Sequence, residues 1–363
     1  MKSQLHRNDR SASVPSRAAG LTLVELLVAM TIGAVLIFGA TQVYVDSRNA
    51  YAVNETTERL QENARYALSV LEPDIRMSGY WGLTNVSDGL TGKALLTDAQ
   101  LALGAPAAST CGVNFPLLLG FPLQGTNDSY TATCAENSAV MPNADTITVR
   151  RASAVTVPAT SADGPLRICS TRTSGVLVTV ISSSTFCQDV NAQINNLIVN
   201  LYYVDQSSSQ PGVPSLRRKA LNAGPGFQDD EIVPGVEDLQ VQYGVDLSGG
   251  AGPASGAATE YLNAGATLTN LLTSTTAAAQ IASVRIWLLV RSDAPEAGFT
   301  DDHIYVYGDR LQANGTTGDL TNVADNTKAY QPSLSTDNSF TGAKRYRRLL
   351  VSKTIQIRNA LGR

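Results

Sequence analysis

Residues 1–19 are polar, and the character of the chain changes at Gly20, where the run GLTLVELLVAMTIGAVLIFGATQVYVD (20–46) begins. Between Glu25 and Asp46 no residue is charged. At 1.5 Å per residue that interval covers about 30 Å, one hydrocarbon thickness. From Asp46 to Glu72 there is neither proline nor glycine, and apolar residues recur at Val53, Leu60, Ala64, Ala67, Leu68 and Leu71, close to helical spacing. Glu55, Glu58, Arg59, Glu62 and Arg65 take the other faces. The pattern predicts one helix from Leu21 to about Glu72, lipid-soluble in its first half and amphipathic in its second. Pro73 is expected to kink or end it, with Gly79 as the stop. The amphipathic stripe has to pack on something, because such a helix gains most of its stability by burying its apolar face.

After Trp81 the period changes from helical to alternating. Strand candidates are 144–152, 175–182, 196–205, 215–221, 236–246, 283–292 and 347–359. QSSSQPGVP, between Asp205 and Ser215, reads as a turn that makes one hairpin of its flanks. The predicted fold is α+β: a long N-terminal α-helix, transmembrane then amphipathic, packed on an antiparallel β-sheet head. The head is large enough for a second sheet or subdomain. LSGGAGPASGAATE (247–260) reads as a mobile loop, 266–280 as holding a short helix, and 309–342 as a long polar loop offering a partner surface. The expected organisation is a leader at 1–20, the helix at 21–78 and the head at 79–363.

A carboxylate inside the apolar run needs an explanation. At the centre of a bilayer it costs about 2.5–3.5 kcal/mol. The residues before the run include Lys2, Arg7, Arg10 and Arg17 against Asp9, and no small-residue cleavage site follows the run. The small residue, Gly20, precedes it. Cleavage there keeps the apolar segment and makes Leu21 the new N-terminus, with the basic leader cytoplasmic by the positive-inside rule. Glycine, then glutamate five places on, then an uncharged run, resembles the class III signal of type IV prepilins and type II secretion pseudopilins. The resemblance implies cleavage after Gly20 and N-methylation of Leu21 by the prepilin peptidase, in the inner membrane. The family usually has Phe where Leu21 stands. In a filament the α-amino group of a neighbouring Leu21 can pair with Glu25, as buried charges require partners. An ordinary signal anchor with a stray acid is the competing reading. It leaves Gly20, the polar leader and the helical continuation unexplained together.

LQENARYALSVLEPDIRMSGYWG (60–82), VPGVEDLQVQYGVD (233–246), ASVRIWLLVRSDAPE (282–296) and YRRLLVSKTIQIRN (346–359) are similar, in this order, to segments of the PilW family of minor pilins. Residues 83–140 and 247–280 match nothing we can name. The resemblance implies a pilin-like structural protein of the type IV pilus. It would act in an assembly-initiation or tip complex with other minor pilins, the major pilin and a tip adhesin. Two other readings share features of the chain. One is a J-type minor pseudopilin of type II secretion. The other is a tip binding module for DNA or a host receptor.

Composition narrows the chemistry. Charged residues are 16% and the net charge is −4, so nothing in bulk favours nucleic acid or anionic lipid. The four cysteines, Cys111, Cys134, Cys169 and Cys187, form no CxxC pair. In an exported chain they favour two disulfides. Three connectivities are open, and neighbours, Cys111–Cys134 and Cys169–Cys187, are preferred over the others. Of two histidines, His6 lies in the leader and only His303 remains, in TDDHIYVYG. Asp301, Asp302 and His303 read as a loop cluster rather than a metal site, since convergent ligands are lacking. GLTGKA (89–94) has the wrong spacing for a P-loop, GPGF (224–227) reads as a turn, and DDE (229–231) as a solvated turn. No enzyme and no cofactor are expected. The last twenty residues carry seven cations and no acid. They read as an edge strand protected by Lys and Arg rather than as a nucleic-acid surface.

Overall fold

The computed structural model describes residues 20, 22–94, 111–112, 114–222, 226–250, 255–274, 279–296, 298–303, 305–308 and 343–359. Leader residues 1–19, Leu21 and the predicted loop 309–342 lie outside the described residues. Two compact units divide the chain, one up to Glu55 and one from Thr56. That division falls inside the first helix.

Helix α1 spans Leu23–Arg76. It runs through Pro73, which ends neither its geometry nor its packing: Pro73 lacks only its own N–H, and its carbonyl still accepts from Met77 N at 3.1 Å. The chain then turns at Gly79, whose φ of +73° is a left-handed conformation that glycine adopts without strain. Leu60, Ala64, Ala67, Leu71 and Ile75 are buried, at steps of three or four residues that keep them on one face.

Two sheets build the second unit. The first has eight strands: β1 (Leu90–Thr91), β2 (Leu123–Thr126), β3 (Thr146–Thr156), β4 (Arg167–Ser170), β5 (Gly175–Val178), β6 (Gln193–Asp205), β7 (Ser215–Leu221) and β8 (Phe227–Pro234). Its order is β1-β5-β4-β6-β3-β2, with β7 pairing both β6 and β8. Strand β6 is its axis: β3 pairs along residues 195–202, while β4 takes 193–196 and β7 takes 200–205. All pairs are antiparallel except the two-residue β1–β5 ladder. The second sheet has order β10-β9-β11-β12 and is antiparallel throughout, from β9 (Val236–Asp246), β10 (Glu260–Asn263), β11 (Gln280–Arg291) and β12 (Arg348–Gln356). Between β10 and β11 lies the short helix α2 (Ala266–Thr273), as the sequence predicts.

The main core joins the helix stripe to both sheets. Leu71 and Ile75 share it with Ile147 and Tyr202 of the first sheet and with Leu239, Val241, Ile286 and Leu288 of the second. Full burial of each such aliphatic side chain stabilises by roughly 1.5–3 kcal/mol. A buried carboxylate ties the sheets together: Asp145 Oδ2 accepts from Val241 N at 2.7 Å, and Asp145 N donates to Leu239 O at 2.8 Å.

The strand reading needs one correction. DDE (229–231) is not a solvated turn but the middle of β8, facing the basic run of β7. The register sets Arg217 opposite Glu231, Arg218 opposite Asp230 and Lys219 opposite Asp229, so charge complementarity replaces hydrophobic alternation as the pairing signal. The loop after β9 also has a specific anchor. Asp246 accepts hydrogen bonds from Ser248 and Ser255 and from the Gly256 amide, which holds both described ends of that loop.

Candidate functional site

In the first unit Thr22 is the residue before the helix and Glu25 its third. Glu25 N donates to Thr22 Oγ1 at 3.2 Å, and Thr22 N donates back to Glu25 Oε2 at 3.3 Å. This reciprocal pair is a capping box, which satisfies two of the amides left open at a helix start. Its sequence signal is T-x-x-E before an apolar run. Gly20 is exposed, and a Cβ built on it would meet nothing within 4 Å. Within residues 22–55 large apolar side chains are open: Leu23 is 76% exposed, Phe38 75% and Ile37 71%. Helix α1 is long and apolar enough to cross a membrane. Its uncovered side chains require lipid or neighbouring helices.

In the second unit the same helix carries an acid that sequence reasoning passed over. Asp74 is buried, and its Oδ1 accepts from Arg151 Nη2 at 2.6 Å and Nε at 3.0 Å. Its Oδ2 accepts from Asn200 Nδ2 and from the Tyr202 hydroxyl, each at 2.5 Å. Burial, then the Asp74 charge, raises the Tyr202 pKa well above the usual phenol value. Asp74 thus locks the end of the helix to strands β3 and β6.

The terminal cations are used internally. Arg348 pairs with Glu237 at 2.6 Å and with Asp301 at 3.1 Å, the three side chains shielded from solvent. Arg347 pairs with Glu296, Lys344 with Asp302, and Lys353 with Glu72 on the helix at 2.5 Å. Strand β12 lies at the end of its sheet's order, as an edge strand should. Asp301 is spoken for by Arg348, the Tyr305 hydroxyl and the His303 ring, and no group of three or more His, Cys, Asp or Glu suited to a metal stands among the described residues. On the β7–β8 hairpin, burial raises the Asp229 carboxyl. Hydrogen bonds from Lys219, Tyr203 and Arg217 outweigh that and hold its pKa below the usual value. The cysteines pair as Cys111–Cys134 and Cys169–Cys187, the neighbour connectivity preferred from the sequence.

Comparison with known families matches residues 201–359 to the type IV pilus-assembly protein W family, PilW, and residues 15–41 to the prokaryotic N-terminal methylation motif. The chain thus carries a match to the PilW family in its second unit and a prepilin methylation motif at the start of its helix. The PilW match covers β7 to β12 and part of β6, so the whole second sheet falls inside it. The methylation motif covers the capping box and the apolar run that follows. A search of curated proteins found no match. Among solved structures, a type IV-like pilin from Thermus thermophilus is 12% identical over 84% of this chain and 98% of its own, with a TM-score of 0.32. The prepilin motif and the apolar helix together fit a membrane-anchored pilin of the PilW type.

Proposed function

We propose that this PilW-domain chain is a minor pilin that takes part in initiating the type IV pilus or capping its tip, with other minor pilins, the major pilin and a tip adhesin as partners. The observation that carries the reading is Glu25. It stands in a run whose apolar side chains are exposed, and among the described residues its hydrogen-bond partner is Thr22. In this scheme the prepilin peptidase cuts after Gly20 and methylates Leu21, while the leader faces the cytoplasm and the head the periplasm. On leaving the inner membrane the helix packs against its neighbours, and the new N-terminal amine of one copy supplies the missing partner for Glu25 of another.

Glu25→Ala is expected to insert into the membrane normally and to be depleted from sheared pili. Wild-type incorporation of that variant overturns the mechanism. Mass spectrometry of the native chain tests processing directly, and recovery of an intact N-terminus at Met1 defeats it. The reading as a DNA-binding module is weaker, since Arg347, Arg348, Lys344 and Lys353 are paired with carboxylates of the same chain. A type II secretion pseudopilin shares the signal and the helix, but the PilW match favours the pilus.

A further inference from the structure

Strands β9 and β11 turn Val241, Tyr243, Val284, Ile286 and Leu288 into the core, so the residues that alternate with them face the other way. On this outer face of the second sheet the register sets Gln242 of β9 and Thr354 of β12 on either side of Arg285 of β11, and Tyr261 of β10 opposite Gly244. In the rows from Gly244 to Gln240, Arg285 carries the only charge among the described residues of that face. Arg285 and Trp287 are half-buried and Thr354 is exposed, so the face can be reached from solvent.

The Arg285 guanidinium is held in place but unpaired. Tyr261 lies across β9 at Gly244, where a Cβ would stand 2.9 Å from its ring, and its hydroxyl shares a hydrogen bond with Ser283 Oγ at 3.0 Å. Arg285 stacks on that ring with Cζ 3.9 Å from the centroid, and the Trp287 ring centroid is 5.8 Å away. Stacking uses the flat face of a guanidinium and leaves the N–H groups of its rim for other partners. Elsewhere in the head Arg217, Arg347, Arg348 and Lys353 all have carboxylates. No hydrogen bond or ion pair reaches Arg285 among the described residues. A cation so fixed before binding loses little ordering entropy when a ligand arrives.

We propose that this face binds an acidic saccharide, with the carboxylate of a uronic acid on the rim of Arg285 and the C–H face of its ring against Trp287. A carboxylate is planar and meets the guanidinium fork with two parallel hydrogen bonds. One cation balances one negative charge, so a phosphate dianion is the poorer fit. A carboxylate seated on the rim brings the attached ring beside Trp287, whose negative π-face suits sugar C–H groups. The ring hydroxyls then meet Gln242, Ser352 and Thr354, neutral side chains that both donate and accept. An acidic peptide finds less here. Protein interfaces bury apolar anchors at their centre, and one of the two large rings on this face is already covered by Arg285. The inference goes beyond the pilus reading and does not rest on it.

The test uses the full chain in zwitterionic lipid nanodiscs, titrated with tri-galacturonate and read by tryptophan emission. The chain has two tryptophans, and Trp81 is 1% exposed, so a ligand-dependent change reports on Trp287. The expected result is a saturable change in the wild type, with affinity weakened by about tenfold or more in Arg285→Gln. Thr354→Glu should weaken it by about as much, because it sets a carboxylate of the chain's own opposite Arg285. Thr354 is exposed, so this variant keeps its fold and decides the matter if Arg285→Gln misfolds. The methyl ester of the same trisaccharide, which keeps the rings and loses the charge, should bind about tenfold more weakly. No saturable change in the wild type overturns the proposal. So does equal binding by wild type and folded variants, or equal binding of the methyl ester. Tighter binding of triglutamate also overturns it and makes the face a protein contact. The pilin assignment stands under every one of these outcomes.

Discussion

Glu25 and Asp74 are acids of one helix, and their surroundings differ in kind. Asp74 is buried, and its two oxygens accept from Arg151, Asn200 and Tyr202, all within the second unit. Glu25 lies among exposed apolar side chains and accepts from Thr22. The same contrast holds for the apolar residues around them: Leu71 is 0% exposed and Phe38 75%. One stretch of helix finds its complement inside the chain. The other carries chemistry that only a bilayer or other molecules can complete. An acid in an apolar setting is tolerated where its partners are, and their location separates a residue that folds the protein from one that assembles it.

The comparison can be broken most sharply at Asp74. Asp74→Ala leaves Arg151 without its counter-charge and Asn200 and Tyr202 without an acceptor, and should lower unfolding stability by about 3–5 kcal/mol. Glu25→Ala should leave the denaturant midpoint of the head unmoved. Equal effects of the two variants would end the distinction. Next in size is the apolar pair: Leu71→Ala should cost roughly 2–5 kcal/mol by opening a core cavity, whereas Phe38→Ala should stay within about 0.5 kcal/mol. Chemical denaturation of both full-length variants decides it.

A smaller effect tests the cap. Thr22→Ala removes one half of the capping box and should weaken the helix start by about 1 kcal/mol, read as roughly fivefold faster amide exchange over residues 23–26. The least change is expected at Asp246. Burial raises its pKa, but hydrogen bonds from Ser248, Gly256 and Ser255 bring it down to about 2. Its folded pKa lies below the unfolded value, so its contribution is complete above about pH 4 and disappears as pH falls towards 2. The stability gap between wild type and Asp246→Asn should therefore be measurable at pH 6 and close by pH 2. A gap that widens on acidification would mean the hydrogen bonds are not those described.

Much of this was legible in the sequence, for physical reasons that also mark where legibility stopped. The apolar run and the 60–64–67–71 stripe announce the helix because a single period persists over many turns. β9 was legible to the residue because its apolar positions alternate, and β7 because the turn before Ser215 marks its start. β8 was lost because its pairing is written in charge, a signal that appears only once β7 is known to lie opposite. Whether Pro73 kinks or ends the helix was open in the sequence; the helix continues to Arg76 because tertiary packing of Leu71 and Ile75 outweighs the local penalty of proline. Asp74 gave no local sign at all, since Asn200 and Tyr202 stand more than a hundred residues away. The Thr22–Glu25 box is written locally as T-x-x-E before an apolar run, so it is legible in the sequence.

The cysteine bridges have a consequence for the history of each molecule. Both Cys111–Cys134 and Cys169–Cys187 need an oxidising compartment to form and persist. A copy retained in a reducing cytosol keeps four thiols, while one that has been exported keeps none. Counting alkylatable sulfurs on recovered protein therefore tells how far each molecule travelled, without any need to follow it.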